Sequence, residues 1–103
     1  MTNHTFMLLL ENRLKKIADT LDVKGKEYGT HDRLHNFKAA GLATRRTPAQ
    51  ACTGMMAKHW VSVLDMVERA ADGHPPTTAM IDEKIGDLVN YLILLEALLR
   101  PSA

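Results

Sequence analysis

The stretch that decides the fold runs from residue 82 to 99: Asp82-Glu83-Lys84-Ile85-Gly86-Asp87-Leu88-Val89-Asn90-Tyr91-Leu92-Ile93-Leu94-Leu95-Glu96-Ala97-Leu98-Leu99. At about 100° per residue, Glu83, Asp87, Asn90 and Tyr91 fall on one stripe that continues into Leu94 and Leu98. Ile81, Ile85, Leu88, Leu92, Leu95 and Leu99 make a second apolar stripe. Beyond Leu88 the helix is apolar nearly all round, the pattern of a helix covered from both sides. Its acidic residues therefore point toward the interior rather than toward solvent.

The composition agrees with a helical protein. Of the 103 residues 46% are hydrophobic, only 5% are aromatic, and Ala, Leu, Met, Lys and Glu dominate. Such a chain reads as one all-α domain over 1–103, with a loose start at residues 1–4, small enough to gain from oligomerisation. A net charge of +1 gives no field that favours nucleic acid or an acidic membrane. The lone Cys52 forms no internal disulfide and no paired-cysteine metal site, which fits a reducing compartment, the cytosol by default. The apolar run Phe6–Leu10 has no preceding basic residue and is followed at once by charges, unlike a signal peptide. No segment reaches the ~20 apolar residues that a bilayer span needs.

Outward from the last helix, the expected architecture is a four-helix bundle-like order of long, short, long and long helices. The first helix begins near Thr5, carries Leu10, Leu14, Ile17 and Leu21 on one face, and ends by degrees at Gly25 and Gly29. A short helix covers Leu34–Leu42, with Leu34, Phe37 and Leu42 inward. Thr47-Pro48-Ala49-Gln50 combines an N-cap, a proline at the first helical position and a capping-box glutamine. The helix it opens runs to about Ala71 with an inward stripe of Met56, Trp60, Val63, Leu64 and Val67, and Gly73, Pro75 and Pro76 stop it. Thr77 or Thr78 caps the last helix.

Two polar groupings stand out. Lys58, Ser62 and Asp65 lie at i, i+4 and i+7 within an arc of about 60°, nearly opposite Trp60 and Val67, where a solvated face with ordinary helix ion pairs is the plainer reading. Glu83 and Asp87 are one turn apart on an inward stripe, where two carboxylates repel unless a cation, a proton or a basic side chain lies between them. Mg²⁺ suits such a pair, because it binds through one or two carboxylates, waters and substrate phosphates. A structural ion-pair cluster with Lys26 or Lys58 is the alternative. Lys24, Lys26, Arg33 and Lys38 are candidate phosphate contacts or simply solvated charges. His31 and His35 alone have a metal-like spacing, across a helix start. Cys52 has no partner for catalysis and reads as a buried, idle thiol.

The order Lys26-Glu27-Tyr28-Gly29, Asp32-Arg33-Leu34-His35-Asn36-Phe37, Lys58-His59-Trp60-Val61-Ser62-Val63-Leu64-Asp65-Met66 and Glu83-Lys84-Ile85-Gly86-Asp87-Leu88-Val89-Asn90-Tyr91 resembles small bacteriophage and prophage proteins of unassigned function, over about residues 24–99. More distantly it is similar to the nucleotide-modification-associated and MazG-like all-α nucleotide pyrophosphohydrolases. That resemblance implies a dimeric or higher helical bundle that holds a nucleoside triphosphate and hydrolyses it, with Mg²⁺, to monophosphate and pyrophosphate. Asp65, Glu83 and Asp87 would be its catalytic and metal-binding residues. Lys26, Arg33 and Lys58 would neutralise phosphate charge. Tyr28 or Tyr91 would meet the base, with Asn36, Ser62 and Asn90 completing the substrate contacts. The helix before Glu83 departs from the paired-Glu pattern of those enzymes and offers only Asp65 and Glu68. A nucleotide-binding module without catalysis, or a helical protein-interaction protein, are the alternative functions.

Overall fold

The computed structural model describes residues 1–27 and 32–101. The chain is all-α, as its composition and periodicity predict: α1 spans Asn3–Glu27, α2 His35–Thr44, α3 Pro48–Ala71 and α4 Thr78–Leu99. Among the described residues there is no strand, and no helix is long and apolar enough to cross a membrane. Two compact units are distinguished, Met1–His31 and Asp32–Ala103.

In the first unit α1 starts two residues earlier than Thr5, because Thr2 is the cap: the Thr5 N–H donates to Thr2 Oγ1 at 3.1 Å. The helix passes through Gly25 without a break. Phe6, Met7, Leu8, Leu9, Leu10 and Leu14 are all exposed. Lys15–Asp19 at 3.2 Å and Lys26–Asp22 at 3.1 Å are ion pairs one turn apart on its surface, each worth only a few tenths of a kcal/mol, on the order of 0.3–0.5.

The second unit is α2 packed on α3 and α3 packed on α4. Asp32 prepares the start of α2, accepting the Leu34 N–H on Oδ1 at 3.0 Å and the Lys38 ammonium on Oδ2. The Lys38 bond first, and the Leu34 amide next, hold its carboxyl below the usual range. Leu42 is expected inward but is 84% exposed, since five residues of helix put it about 140° round from Phe37, which is buried. Gly41 is buried instead. It accepts the Arg46 N–H at 2.8 Å, and a Cβ there would come within 2.7 Å of the Arg46 carbonyl oxygen and 3.1 Å of Pro48 N. Only a residue without a side chain lets the turn into α3 fold back this closely. Arg45, at φ 56°, takes the left-handed position that closes α2.

The capping box at α3 forms as read: the Gln50 N–H donates to Thr47 Oγ1 at 3.1 Å and the Thr47 N–H to Gln50 Oε1 at 2.9 Å. Gly73, at φ 88°, turns the chain after α3, and Thr77 caps α4 by accepting the Met80 N–H at 3.1 Å. The buried side chains of this unit are Phe37, Ala51, Cys52, Val63 and Met66. The stripe expected to face inward on α3 divides: Val63 is buried, whereas Trp60, Leu64 and Val67 are exposed. α3 packs through the neighbouring stripe that holds Cys52, His59, Ser62 and Met66, so a helix with two usable faces has covered the smaller one.

Gly41→Ala is expected to destabilise the protein by about 1–3 kcal/mol, the usual cost of forcing an atom into packed backbone, and Thr47→Ala by about 1 kcal/mol through loss of the cap. Urea unfolding followed by far-UV circular dichroism measures both; a Gly41→Ala midpoint equal to wild type would contradict the close approach.

Candidate functional site

Where α3 and α4 run antiparallel, Lys58, His59 and Ser62 from one helix and Glu83, Lys84 and Asp87 from the other line a cavity of about 200 Å³. The helical repeat explains the set. Residues 58, 59 and 62 cover one turn of α3, and residues 83, 84 and 87 cover one turn of α4. The two turns meet at the same height because Lys84 Nζ donates to Ser62 Oγ at 3.3 Å and His59 Nδ1 lies 3.7 Å from Asp87 Oδ2.

Around the cavity stand two ammonium groups, two carboxylates and an imidazole. The His59 ring lies against the Tyr91 ring at a centroid distance of 4.8 Å, tilted by 31°. Tyr91 meets Phe37 of α2 edge-on at 6.5 Å. This aromatic chain ties α2, α3 and α4 together and backs the imidazole, while the Asp87 carboxylate stands 3.7 Å from Nδ1, beyond hydrogen-bond distance. Two turns before His59 on α3, Cys52 is completely buried, its thiol donating weakly to the Tyr91 carbonyl oxygen at 3.9 Å. Burial pushes this thiol up from its ordinary pKa, so it is the inert thiol that the sequence indicated.

The structure brings together Lys58, Ser62, Glu83 and Asp87 of the residues expected at a site. Lys58 and Ser62 thus line the cavity, Lys58 exposed and Ser62 half-buried, and Glu83, which the stripe pattern turns toward the interior, is exposed at its rim. Asp65, expected beside them, is exposed and absent from the lining, since it lies almost a full turn past Ser62 toward the end of α3. Asn90 is half-buried, and its Oδ1 is buried with no hydrogen-bond partner. Tyr91 serves through its ring as packing against Phe37 and His59. Arg33 is half-buried just before α2, and Asn36 is exposed on its first turn. Lys26 is on the last turn of α1, paired with Asp22. Tyr28 and His31 lie outside the described residues.

Two lining residues escaped the sequence reading, His59 and Lys84. The signal was present for both. His59 is seven residues after Cys52 and seven before Met66, on the stripe that is buried, and Lys84 sits between Glu83 and Asp87 on the same turn.

Among the described residues no group of three or more His, Cys, Asp or Glu side chains could hold a metal ion. Glu83 and Asp87 are the two carboxylates of the cavity, and Lys58 and Lys84 stand beside them. That donor set is too small for a metal held by protein alone. No family model, no curated protein and no solved structure matches the chain.

Alkylation of Cys52 with iodoacetamide is expected to be at least about a hundredfold slower in the native protein than in urea-unfolded protein, since attack requires an exposed thiolate. Mass spectrometry of timed samples measures this; equal rates would mean that the α3–α4 contact opens freely.

Proposed function

We propose that this chain is a cytosolic, phage-type nucleotide-binding protein of the MazG-like class, working as a homo-oligomer, and that the α3–α4 cavity takes the phosphate chain of its ligand together with Mg²⁺. The observation that carries the reading is the convergence of Lys58 and Lys84 with Glu83 and Asp87 on one cavity. Lysines alone would suit any anion, and carboxylates alone would suit any cation. The mixed set suits a ligand that brings both, a polyphosphate with its counter-ion.

Size refines the assignment. About 200 Å³ is below the ~300–1,000 Å³ of pockets that enclose whole drug-sized ligands. The cavity therefore holds the phosphates, and the base and sugar extend beyond it. Lys58 and Lys84 would neutralise phosphate charge, with Lys84 turning from Ser62 toward the ligand. Ser62 offers its hydroxyl to a phosphate oxygen. Glu83 and Asp87 would hold the metal side of the complex.

A second reading, hydrolysis to nucleoside monophosphate and pyrophosphate, is favoured by the His59–Asp87 pair. Mg²⁺ held on the Glu83 and Asp87 side would supply charge neutralisation on the phosphates and polarisation of an attacking water. The chain's own part is to take a proton from that water: His59, with the Tyr91 ring against its face and Asp87 close to Nδ1, has its other nitrogen for that task.

Thermal-shift titration with magnesium and the common ribo- and deoxynucleoside triphosphates tests the binding. A stabilisation that grows with ligand is expected for at least one of them, with Lys84→Met weakening its Kd by at least about tenfold, the loss of one charge-assisted contact. No shift with any of them would overturn the reading. Pyrophosphate release decides between the two activities: release that falls at least about a hundredfold in His59→Asn identifies hydrolysis, and binding without release identifies a sequestering or sensing module.

A further inference from the structure

α3 carries, away from the cavity, a stripe of Thr53, Ala57, Trp60, Leu64, Val67 and Ala71, spaced alternately by four and three residues and exposed throughout. This is the spacing by which a helix presents a seam to another helix. α4 repeats it with Ile81, Ile85, Leu88, Leu92, Leu95 and Leu99, of which Ile81, Leu92 and Leu99 are exposed. On each helix the seam lies roughly 100–140° further round than the stripe that faces the other helix. Two antiparallel helices are related by a twofold axis normal to their plane, so equal rotations bring both seams to one side of the pair. That side is opposite to the one where Lys58 and Glu83 stand.

We infer that this joint α3–α4 face is the docking surface for a second copy of the chain, the same face meeting itself across a twofold axis. The inference rests on the homo-oligomer reading above and not on nucleotide binding. Trp60 at 51%, Val67 at 55% and Leu92 at 48% exposure are large apolar side chains half open to water, and Leu64, Ile81 and Leu99 join them. Taking about 150–250 Å² for a fully exposed large side chain, these six present on the order of 600 Å² per chain. A stable dimer of ordinary size buries about 800 Å² per partner, so the face is close to sufficient before its flanking residues are added. No seam position of either helix is charged. Such a surface lacks the polar groups with which a nucleic acid or an acidic peptide would pair. Two helix hairpins packed face to face form a four-helix bundle, a recurring solution for α-hairpins with one uncovered side. Self-pairing satisfies it without any other partner. The cavity stays open on the outside of the bundle.

Trp60 is the sole tryptophan, so its fluorescence reports on this face directly. Light scattering coupled to size-exclusion chromatography should give twice the chain mass of 11.5 kDa, and dilution to the monomer should shift Trp60 emission to longer wavelength. Leu64→Glu and Leu92→Glu should each weaken the dimer by at least about thirtyfold, as for an interface hot spot, with helicity retained by circular dichroism. A wild-type protein of single-chain mass overturns both the assembly and the face, whether Trp60 emission is that of an exposed or a covered ring. An oligomer whose mass and Trp60 emission are unchanged by both variants overturns the face alone. Should either variant fail to fold, the dilution of wild type still decides, because emission that stays constant while the mass halves excludes Trp60 from the interface.

Discussion

The antiparallel apposition of α3 and α4 is the constraint on which everything else in the second unit depends. It is fixed at successive heights: the Cys52 thiol on the Tyr91 carbonyl, the His59 ring on Tyr91 and its nitrogen near Asp87, and Ser62 Oγ under the Lys84 ammonium. A slip of one residue in either helix would rotate the contributing side chains by about 100° and scatter them. The capping box at Thr47–Gln50 and the Thr77 cap set where each helix begins, so local chain chemistry indirectly fixes the geometry of the cavity. Gly41 does the same for α2, whose Phe37 supports Tyr91 from the far side.

The polar contacts across this interface are individually modest. A 3.7 Å approach between His59 and Asp87 and a 3.3 Å ammonium–hydroxyl contact are long for strong hydrogen bonds, whose usual distances are about 2.7–3.2 Å. Burial of Cys52, Val63 and Met66 holds the helices together, and the polar groups ride on that framework. On the proposed reading, Lys84 would give up a neutral hydroxyl, not a carboxylate, in turning toward an anion. A cavity lined by two cations and two anions carries little net field of its own, so it would select ligands by pairing with each charge rather than by long-range attraction.

Much of the fold was legible because helix boundaries are written in local chemistry. Thr47-Pro48-Ala49-Gln50 specifies a start whose hydrogen bonds form as read, and of the two candidates Thr77 and Thr78 the first is the cap of α4. Thr5 misled because Thr2 has the same capping chemistry three residues earlier, and Leu42 misled because its wheel position lies about 140° from that of the buried Phe37. Glu83 and Asp87 were found through their stripe, and Lys58 and Ser62 through theirs. What a single helical wheel does not contain is the choice between two faces: α3 presents Trp60, Leu64 and Val67 on one and Cys52, His59 and Met66 on the other. Apolarity marked the first as interior, yet within one copy of the chain it is the second that is covered. His59 and Lys84 went unnoticed for the same reason, since each becomes part of a site only when the opposite helix is in place. Asp65 shares the wheel position of Lys58 but not its height along the pair.

One turn of α3 and one turn of α4 are proposed to form a single polyphosphate site. Amide chemical-shift mapping by two-dimensional ¹H–¹⁵N NMR, with a magnesium nucleoside triphosphate titrated into labelled protein, addresses it directly. The account predicts a saturable response in which, within Asp32–Ala103, the largest shifts cluster at Lys58–Ser62 and Glu83–Tyr91 while the Trp60 indole N–H, on the opposite face, stays nearly still. A saturable response centred on the Trp60 indole or on the end of α4, with residues 58–62 and 83–87 unmoved, would contradict it.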